Sequence, residues 1–495
     1  MQTKEETLER VMEIKEETLD PSDWQLMEHL GIKMVKDMMQ FLSTVRERKV
    51  WEAPPDEVKN FFNQAVPAEG EPHEKIYEDF KTKIRPYPTG NIHPRFWGWV
   101  MGTGTPFTML ADMLASGINI NQGGGNQVGG LVEAQLIDWF KELFGFPDTA
   151  SGLLVSGGSM ANLVGLTVAR YAQADFDLRK KGLYGAEKRM VVYASREVHN
   201  CVNKSVELLG LGSDSLHLID VNDDYEIKID ELKKQIRQNR EDGLKPFCII
   251  GNAVTVNTGA CDDLNALADL CAEEKLWFHV DGAIGAMIAL SEKYKHRITG
   301  MERADSLALD MHKWMYIPYE ASCALVPNKD VHYKTFSLQA DYLQHEQRGM
   351  GGGDIWFSDY GVELSRGFKA LKIWMSLKEH GIKKYGRMVT QNIEQVQYLK
   401  SLVKKNPKLE LTAPAPLNLL CFRYKGNLTN TDQLNVLNKE LLFRLHESGV
   451  ALPSYTILKG KYSLRVANTN HRTIKEDFDI LINKVIELGE ELEKP

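Results

Sequence analysis

Apolar residues in this chain come in short runs separated by longer stretches of helical spacing. Residues 276–280 (LWFHV) form one run and close on Asp281. Residues 306–309 (SLAL) form another and lead into Asp310, Met311, His312, Lys313 and Trp314. Similar runs stand at 152–155, 190–194 and 247–250. Runs this short, bounded by polar or glycine residues, predict buried strands. Between them Leu136, Ile137, Phe140 and Leu143 repeat at helical spacing and stop at Gly145, and a helix predicted over 263–274 returns the chain to the Asp281 run. Strand–helix–strand crossovers of one hand imply a mostly parallel sheet. Ligands of such sheets bind at the carboxyl ends of strands. The pattern therefore predicts Asp281 and Lys313 at neighbouring strand ends, facing one crevice.

Near the start, Trp24, Leu26, Met27, Leu30, Met34 and Val35 fall at helical spacing and predict a helix with a buried face. The echo KEETL, at 4–8 and 15–19, is a single repeat and not a solenoid. Proline clusters at 53–55, 66–67 and 85–88 mark the end of this segment. Residues 1–90 are thus set apart as a helical segment too short to build its own core. From about 375 to 495 helices alternate with short strands such as 419–422, which reads as a smaller α/β domain behind a large one over 91–374.

Composition narrows the functional classes. With 495 residues the chain can bury a large core. A net charge of −8 and a pI near 6.0 give no reason to expect nucleic acid or an anionic membrane as partner. No window is apolar enough for a transmembrane helix, and the acidic start does not read as a secretory signal. Six cysteines without a CxxC pair suit reduced thiols, hence a cytoplasmic enzyme with no metal site.

A lysine and a carboxylate at adjacent strand tips could form a plain salt bridge. They could equally serve pyridoxal phosphate, with the amine bonded to the cofactor aldehyde and the carboxylate on the pyridine nitrogen. The run GLLVSGGSMAN at 152–162 adds a strand, a small-residue turn and a helix start, which suits a phosphate. Ser159 there could instead be only a helix cap. Neither a P-loop nor a GxGxxG pattern is present at this turn.

The segments WFHVDGAIGA and ADSLALDMHKWMYIP, in that order, resemble the group II pyridoxal-phosphate-dependent amino-acid decarboxylases, the family of the aromatic-amino-acid, glutamate and histidine enzymes. The resemblance implies a fold-type I α/β architecture: a mostly parallel seven-stranded sheet flanked by helices, an N-terminal helical segment packed on a partner subunit, and a small C-terminal domain. It also implies a homodimer with active sites at the subunit interface, and decarboxylation of an L-amino acid to its amine.

Residue by residue, the resemblance makes Lys313 the cofactor lysine, Asp281 the partner of the ring nitrogen and His199 the ring-stacking histidine. Gly158 and Ser159 become the phosphate cup. Asp310 and His312 help fix the phosphate or the lysine strand, Thr255 lies near the cofactor, and Trp99 and Arg465 approach the substrate. Cys201 stands where the family usually has serine. The glycine- and amide-rich stretch 121–127 stands where aromatic decarboxylases place an aromatic side chain.

The long glycine-rich segment 336–361 matches the family's lid, whose tyrosine protonates the product; Tyr342 and Tyr360 are both available for that role. A phenylalanine in that place, with Phe357 between the two, would instead imply oxidative conversion to an aldehyde. Another fold-type I enzyme, such as an aminotransferase, and a non-catalytic binding protein are the remaining alternatives. Arg95 hints at an acidic substrate, Trp97 and Trp99 at an aromatic one.

Overall fold

The computed structural model describes residues 17–338 and 346–494. Its N-terminal helix α1 (Trp24–Ser43) starts at Asp23, whose carboxylate accepts the N–H groups of Gln25 and Leu26. The buried face expected here is not buried within the chain. No residue of α1 is buried, and Trp24, Leu26 and Met34 are among the exposed apolar residues. Helical spacing reports an amphipathic face but not what covers it.

After a two-residue strand β1 (Phe96–Trp97) come helices α2 (Pro106–Ile118) and α3 (Val128–Phe144). The large domain then alternates: β2 (Ser151–Val155), α4 (Gly158–Gln173), β3 (Met190–Ser195), α5 (Asn200–Leu208), β4 (Leu216–Ile219), α6 (Ile229–Glu241), β5 (Lys245–Asn252), α7 (Leu264–Glu274), β6 (Trp277–Asp281), β7 (Ser306–Asp310) and β8 (Ser322–Val326). These strands form one seven-stranded sheet in the order β2-β8-β7-β6-β5-β3-β4. Its pairings are parallel except those of β8, which runs antiparallel to both β2 and β7. The mostly parallel sheet predicted from the pattern is present, and β2, β3, β5, β6 and β7 end on one edge.

Buried strands of this kind are held by what covers both faces. Helix α4 lies on β7 and is fixed by one polar link: His279 Nε2 meets Asn162 Oδ1 at 2.8 Å while its Nδ1 meets the Ser306 hydroxyl at 2.7 Å. A Cβ at Gly165 would stand 2.7 Å from the His279 ring, so glycine is what permits this approach. The second sheet, β1-β11-β12-β10-β9, combines β1 with β9 (Leu409–Leu411), β10 (Leu419–Tyr424), β11 (Leu452–Leu458) and β12 (Lys461–Ala467). Phe96 and Trp97 pair in parallel with Leu452 and Pro453, so the first residues of the 91–374 segment stitch into the small sheet.

Three buried histidines bear on stability. Burial pushes His279 down to about 3 and His332 and His93 down to about 4. The unfolded chain therefore binds their protons first as pH falls. Stability from these groups is full above the unfolded value near 6.5 and is lost as pH drops toward the folded values, by about 1.4 kcal/mol per group per pH unit. The urea midpoint should accordingly be lower at pH 5 than at pH 7; an equal or higher midpoint at pH 5 would contradict this.

Candidate active site

The strand ends open into a cavity of about 770 Å³. Asp281 ends β6 and Asp310 ends β7; Lys313 follows on the short helical turn Met311–Trp314. Both Asp281 and Lys313 line this cavity, as the pattern predicted. The contact that Lys313 makes is with another carboxylate: its Nζ lies 2.7 Å from Asp310 Oδ2. Burial opposes the charge on Lys313, but Asp310 outweighs it, with Asp281 adding, and the amine is held above the ordinary lysine range. Asp310 is itself buried, which would raise it, yet Lys313 and His312 hold it below the usual carboxylate value.

Opposite stands the start of α4. Its N-cap is Gly157, not Ser159, and no side chain caps it, so the first-turn N–H groups face the cavity where Gly157, Gly158 and Ser159 line it. A Cβ at Gly158 would come within 2.6 Å of Asp310 Oδ2 and 3.1 Å of Ala283, which only glycine avoids. An uncapped helix N-terminus at the mouth of a cavity suits an anion. The donor set therefore fits pyridoxal phosphate: anion-binding N–H groups at one end, an amine beside it, and Asp281, braced by the Ala283 N–H at 3.1 Å, farther along β6.

His199 lines the cavity and also caps α5, its Nδ1 accepting the Cys201 N–H at 3.2 Å. The neutral ring then carries its proton on Nε2, and crowding by the cavity wall lowers its pKa, with Asp281 pulling the other way. Cys201 sits beside it as a buried thiol pushed up to about 12, inert at neutral pH. His312 lines the cavity with its Nδ1 accepting the Ala321 N–H, its ring 4.5 Å from Tyr319.

Arg465 is buried on β12 and reaches the cavity, but its donors are largely engaged. Nε donates to the Asn257 carbonyl, Nη1 to the Trp99 carbonyl at 2.9 Å and to the Ser454 hydroxyl, and Nη2 to the Val256 carbonyl. Burial lowers it to about 10, and no carboxylate among the described residues forms an ion pair with it. It clasps the small sheet, the Trp99 turn and the segment after β5 around one opening. Trp99 is held at φ 49° and half exposed on the rim.

Other expected residues do not reach the cavity. Thr255 is buried in its turn, its hydroxyl against Thr258 and the Ala260 N–H, while Val254, Val256 and Asn257 face the opening. Tyr360 is buried against His332 and Tyr333, its carbonyl accepting from His332 and its hydroxyl pushed up to about 12 by burial. It is not placed to protonate anything bound here. Tyr342 lies outside the described residues. Arg95 bonds the Val450 carbonyl and lies 3.5 Å from Asp477, and Trp97 is fully buried, stacked 4.8 Å from Phe478. Both are structural.

Two rim residues, Tyr319 and Tyr455, went unnoticed in the sequence. Tyr319 could have been found six places after the lysine; Tyr455 carried no motif.

A cofactor amine, a carboxylate and an anion cradle at the carboxyl edge of such a sheet define a fold-type I pyridoxal-phosphate enzyme. The profile of the pyridoxal-dependent decarboxylase conserved domain matches residues 55–425. An aromatic-L-amino-acid decarboxylase of Bacillus atrophaeus is 35% identical over 474 residues, 94% of this chain and 96% of its own length. A phenylacetaldehyde synthase of Arabidopsis thaliana is 26% identical over 94% of this chain and 96% of its own. The crystal structure of Catharanthus roseus tryptophan decarboxylase in complex with L-tryptophan superposes with a TM-score of 0.85 at 22% identity, over 96% of this chain and all of that one. The chain belongs to the pyridoxal-dependent decarboxylases and is a pyridoxal-phosphate-dependent carboxy-lyase acting on an amino acid.

Replacing Lys313 with alanine should abolish turnover together with the visible absorbance of lysine-bound cofactor. Asp281→Asn should keep that absorbance while kcat falls by about 100-fold or more. Retained turnover in the first variant, or wild-type kcat in the second, would overturn the assignment.

Proposed function

We propose that this enzyme decarboxylates an aromatic L-amino acid to the corresponding amine. The observation that carries the substrate class is the rim: Trp99, Tyr319 and Tyr455 surround the opening above Lys313. Flat apolar rings favour a ring-bearing side chain. The hint of an acidic substrate loses its support with Arg95, which is engaged elsewhere.

When bound, pyridoxal phosphate supplies an aldehyde for the lysine and a cationic ring that withdraws electrons from the substrate Cα. The chain's own residues do the rest. The N-terminus of α4 holds the phosphate, and Asp281 holds the proton on the ring nitrogen. His199 packs at the cavity wall with Nε2–H available for the substrate carboxylate or the returning proton. Arg465 keeps the Trp99 and 256–257 walls together, so the substrate is fixed in one orientation and water is kept out.

The alternative of an aldehyde product depends on a phenylalanine at the lid position. Phe357 is buried, with the Arg366 guanidinium 5.4 Å from its ring, and does not line the cavity. Among the described residues no phenylalanine lines the cavity to favour that reading.

The same proposal places the enzyme in the cytoplasm as a homodimer. No described helix is long and apolar enough to cross a membrane. Exposed Trp24, Leu26 and Met34 on α1, Phe107 and Leu114 on α2, and Leu131 on α3 form the apolar surface that a second copy would cover. In this arrangement residues 1–90 pack on the partner, 91–374 bind the cofactor and 375–495 form the small domain.

The test is a panel of L-amino acids assayed for carbon dioxide, amine and aldehyde together. Tryptophan, tyrosine, phenylalanine or 3,4-dihydroxyphenylalanine should exceed glutamate and histidine by at least about tenfold in kcat/KM, the discrimination expected of a pocket shaped to one side-chain class. A preference for glutamate, or aldehyde as main product, would overturn the reading.

A further inference from the structure

The carboxylate of Asp310 has no obvious task in the scheme above. It is 1% exposed, at the tip of β7 and against the phosphate cradle, where its Oδ2 approaches Gly158. The sequence suggested that it helps hold the phosphate or the lysine strand. An ionised carboxylate only accepts hydrogen bonds and carries the same sign as a phosphate, so it cannot act as a phosphate ligand. Its bonds point elsewhere. Ser322, its register partner on β8, donates its hydroxyl to Oδ1. Oδ2 lies 2.7 Å from the Lys313 Nζ as an ion pair and accepts no hydrogen bond among the described residues.

Resting on the cofactor assignment made above, we propose that Asp310 is a positioning residue that keeps the Lys313 nitrogen protonated. It does so while that nitrogen is bonded to the cofactor, and it docks the freed ammonium when the substrate amine takes its place. The protons balance: in passing from a free ammonium to the protonated, cofactor-bonded form the substrate nitrogen gives up two protons, the Lys313 nitrogen gains two on leaving as an ammonium, and the Asp310–Lys313 pair takes Lys313 out of competition for the cofactor aldehyde. Asp281 is thereby left for the ring nitrogen.

The two carboxylates share Lys313, His199 and Cys201 as neighbours, but among the described residues only Asp310 forms an ion pair with Lys313. Those of Asp310 include Lys313 and His312 from the turn after β7, the Ser322 hydroxyl from β8, His199 and Cys201 from the start of α5, and Tyr319 from the segment leading to β8. His312 Nε2 is 3.8 Å from Asp310 Oδ2, but burial keeps that ring toward its neutral form. Lys313, at 2.7 Å, is the nearer of these two basic groups to Asp310 Oδ2.

The test is an absorbance titration of the holoenzyme, which reads the protonation of lysine-bound cofactor without turnover. Asp310→Asn should lower the titration midpoint by about one pH unit or more, the shift expected for loss of one buried ion-pair partner. Asp310→Glu, which keeps the charge, should stay closer to wild type than Asp310→Asn. A midpoint unmoved in Asp310→Asn overturns the inference, whether or not cofactor binding changes.

Should Asp310→Asn fail to hold cofactor, the pH profile of Lys313 acylation in cofactor-free wild type, read by peptide mass spectrometry, decides. A midpoint above that of an exposed lysine supports the pair, and one at or below it overturns it. If wild type itself shows no lysine-bound cofactor, the cofactor assignment falls and this inference with it; an unmoved Asp310→Asn midpoint beside a normal wild-type band defeats this inference alone.

Discussion

An amine drawn largely out of water keeps its charge only where an opposite charge meets it at contact distance, because each charge loses hydration on entering the protein. The Lys313–Asp310 pair meets that condition at the edge of the large sheet, and much of the architecture exists to keep it there. Asp310 is fixed by β7, which pairs with β6 on one side and with β8 on the other. The Ser322 hydroxyl, on β8, holds the oxygen that Lys313 does not use. An unpaired charge at this place would be strongly destabilising. The ion pair leaves the lysine nitrogen poised over a cavity.

Around that pair the two sheets divide the work. The parallel strands deliver Asp281, the α4 N-terminus and His199 from one side, each at a strand end or just after it. The small sheet delivers Arg465, Ser454 and Tyr455 from the other. Arg465, on β12, joins them by donating to the carbonyls of Trp99, Val256 and Asn257 and to the Ser454 hydroxyl of β11, so the opening has a fixed shape although Trp99 stands half exposed. The stretch 121–127 serves a further join. Arg366 makes a bidentate contact with buried Glu133 and reaches the Gln122 carbonyl, and Trp356 rests where a Cβ on Gly124 would sit. The glycines there make room for the segment that follows the lid, which explains why small residues occupy it.

Elements whose signal is local were legible in the sequence. Strand ends closing on Asp281 and Asp310, the turn after β2 and the helix over 263–274 appear where apolar runs and polar stops placed them, because buried parallel strands leave a continuous apolar trace. Features that arise from long-range contact were not. Thr255 sits in a motif-like turn, yet its hydroxyl closes that turn and misses the cavity. Tyr360 lies near the lid in sequence, but His332 and Tyr333 bury it. The α1 face is apolar at the right spacing, and spacing cannot say whether its cover comes from the same chain. Asp310 was read as part of a motif; only its contacts separate lysine partner from phosphate ligand.

The whole account stands on Lys313 as the residue that bonds the cofactor. Borohydride reduction of the holoenzyme, followed by digestion and mass spectrometry, fixes the cofactor to whichever lysine holds it. The label should appear on Lys313 alone. A label on Lys372, which is buried and lies 3.2 Å from Asp112, or on any other lysine, would contradict the account at its base.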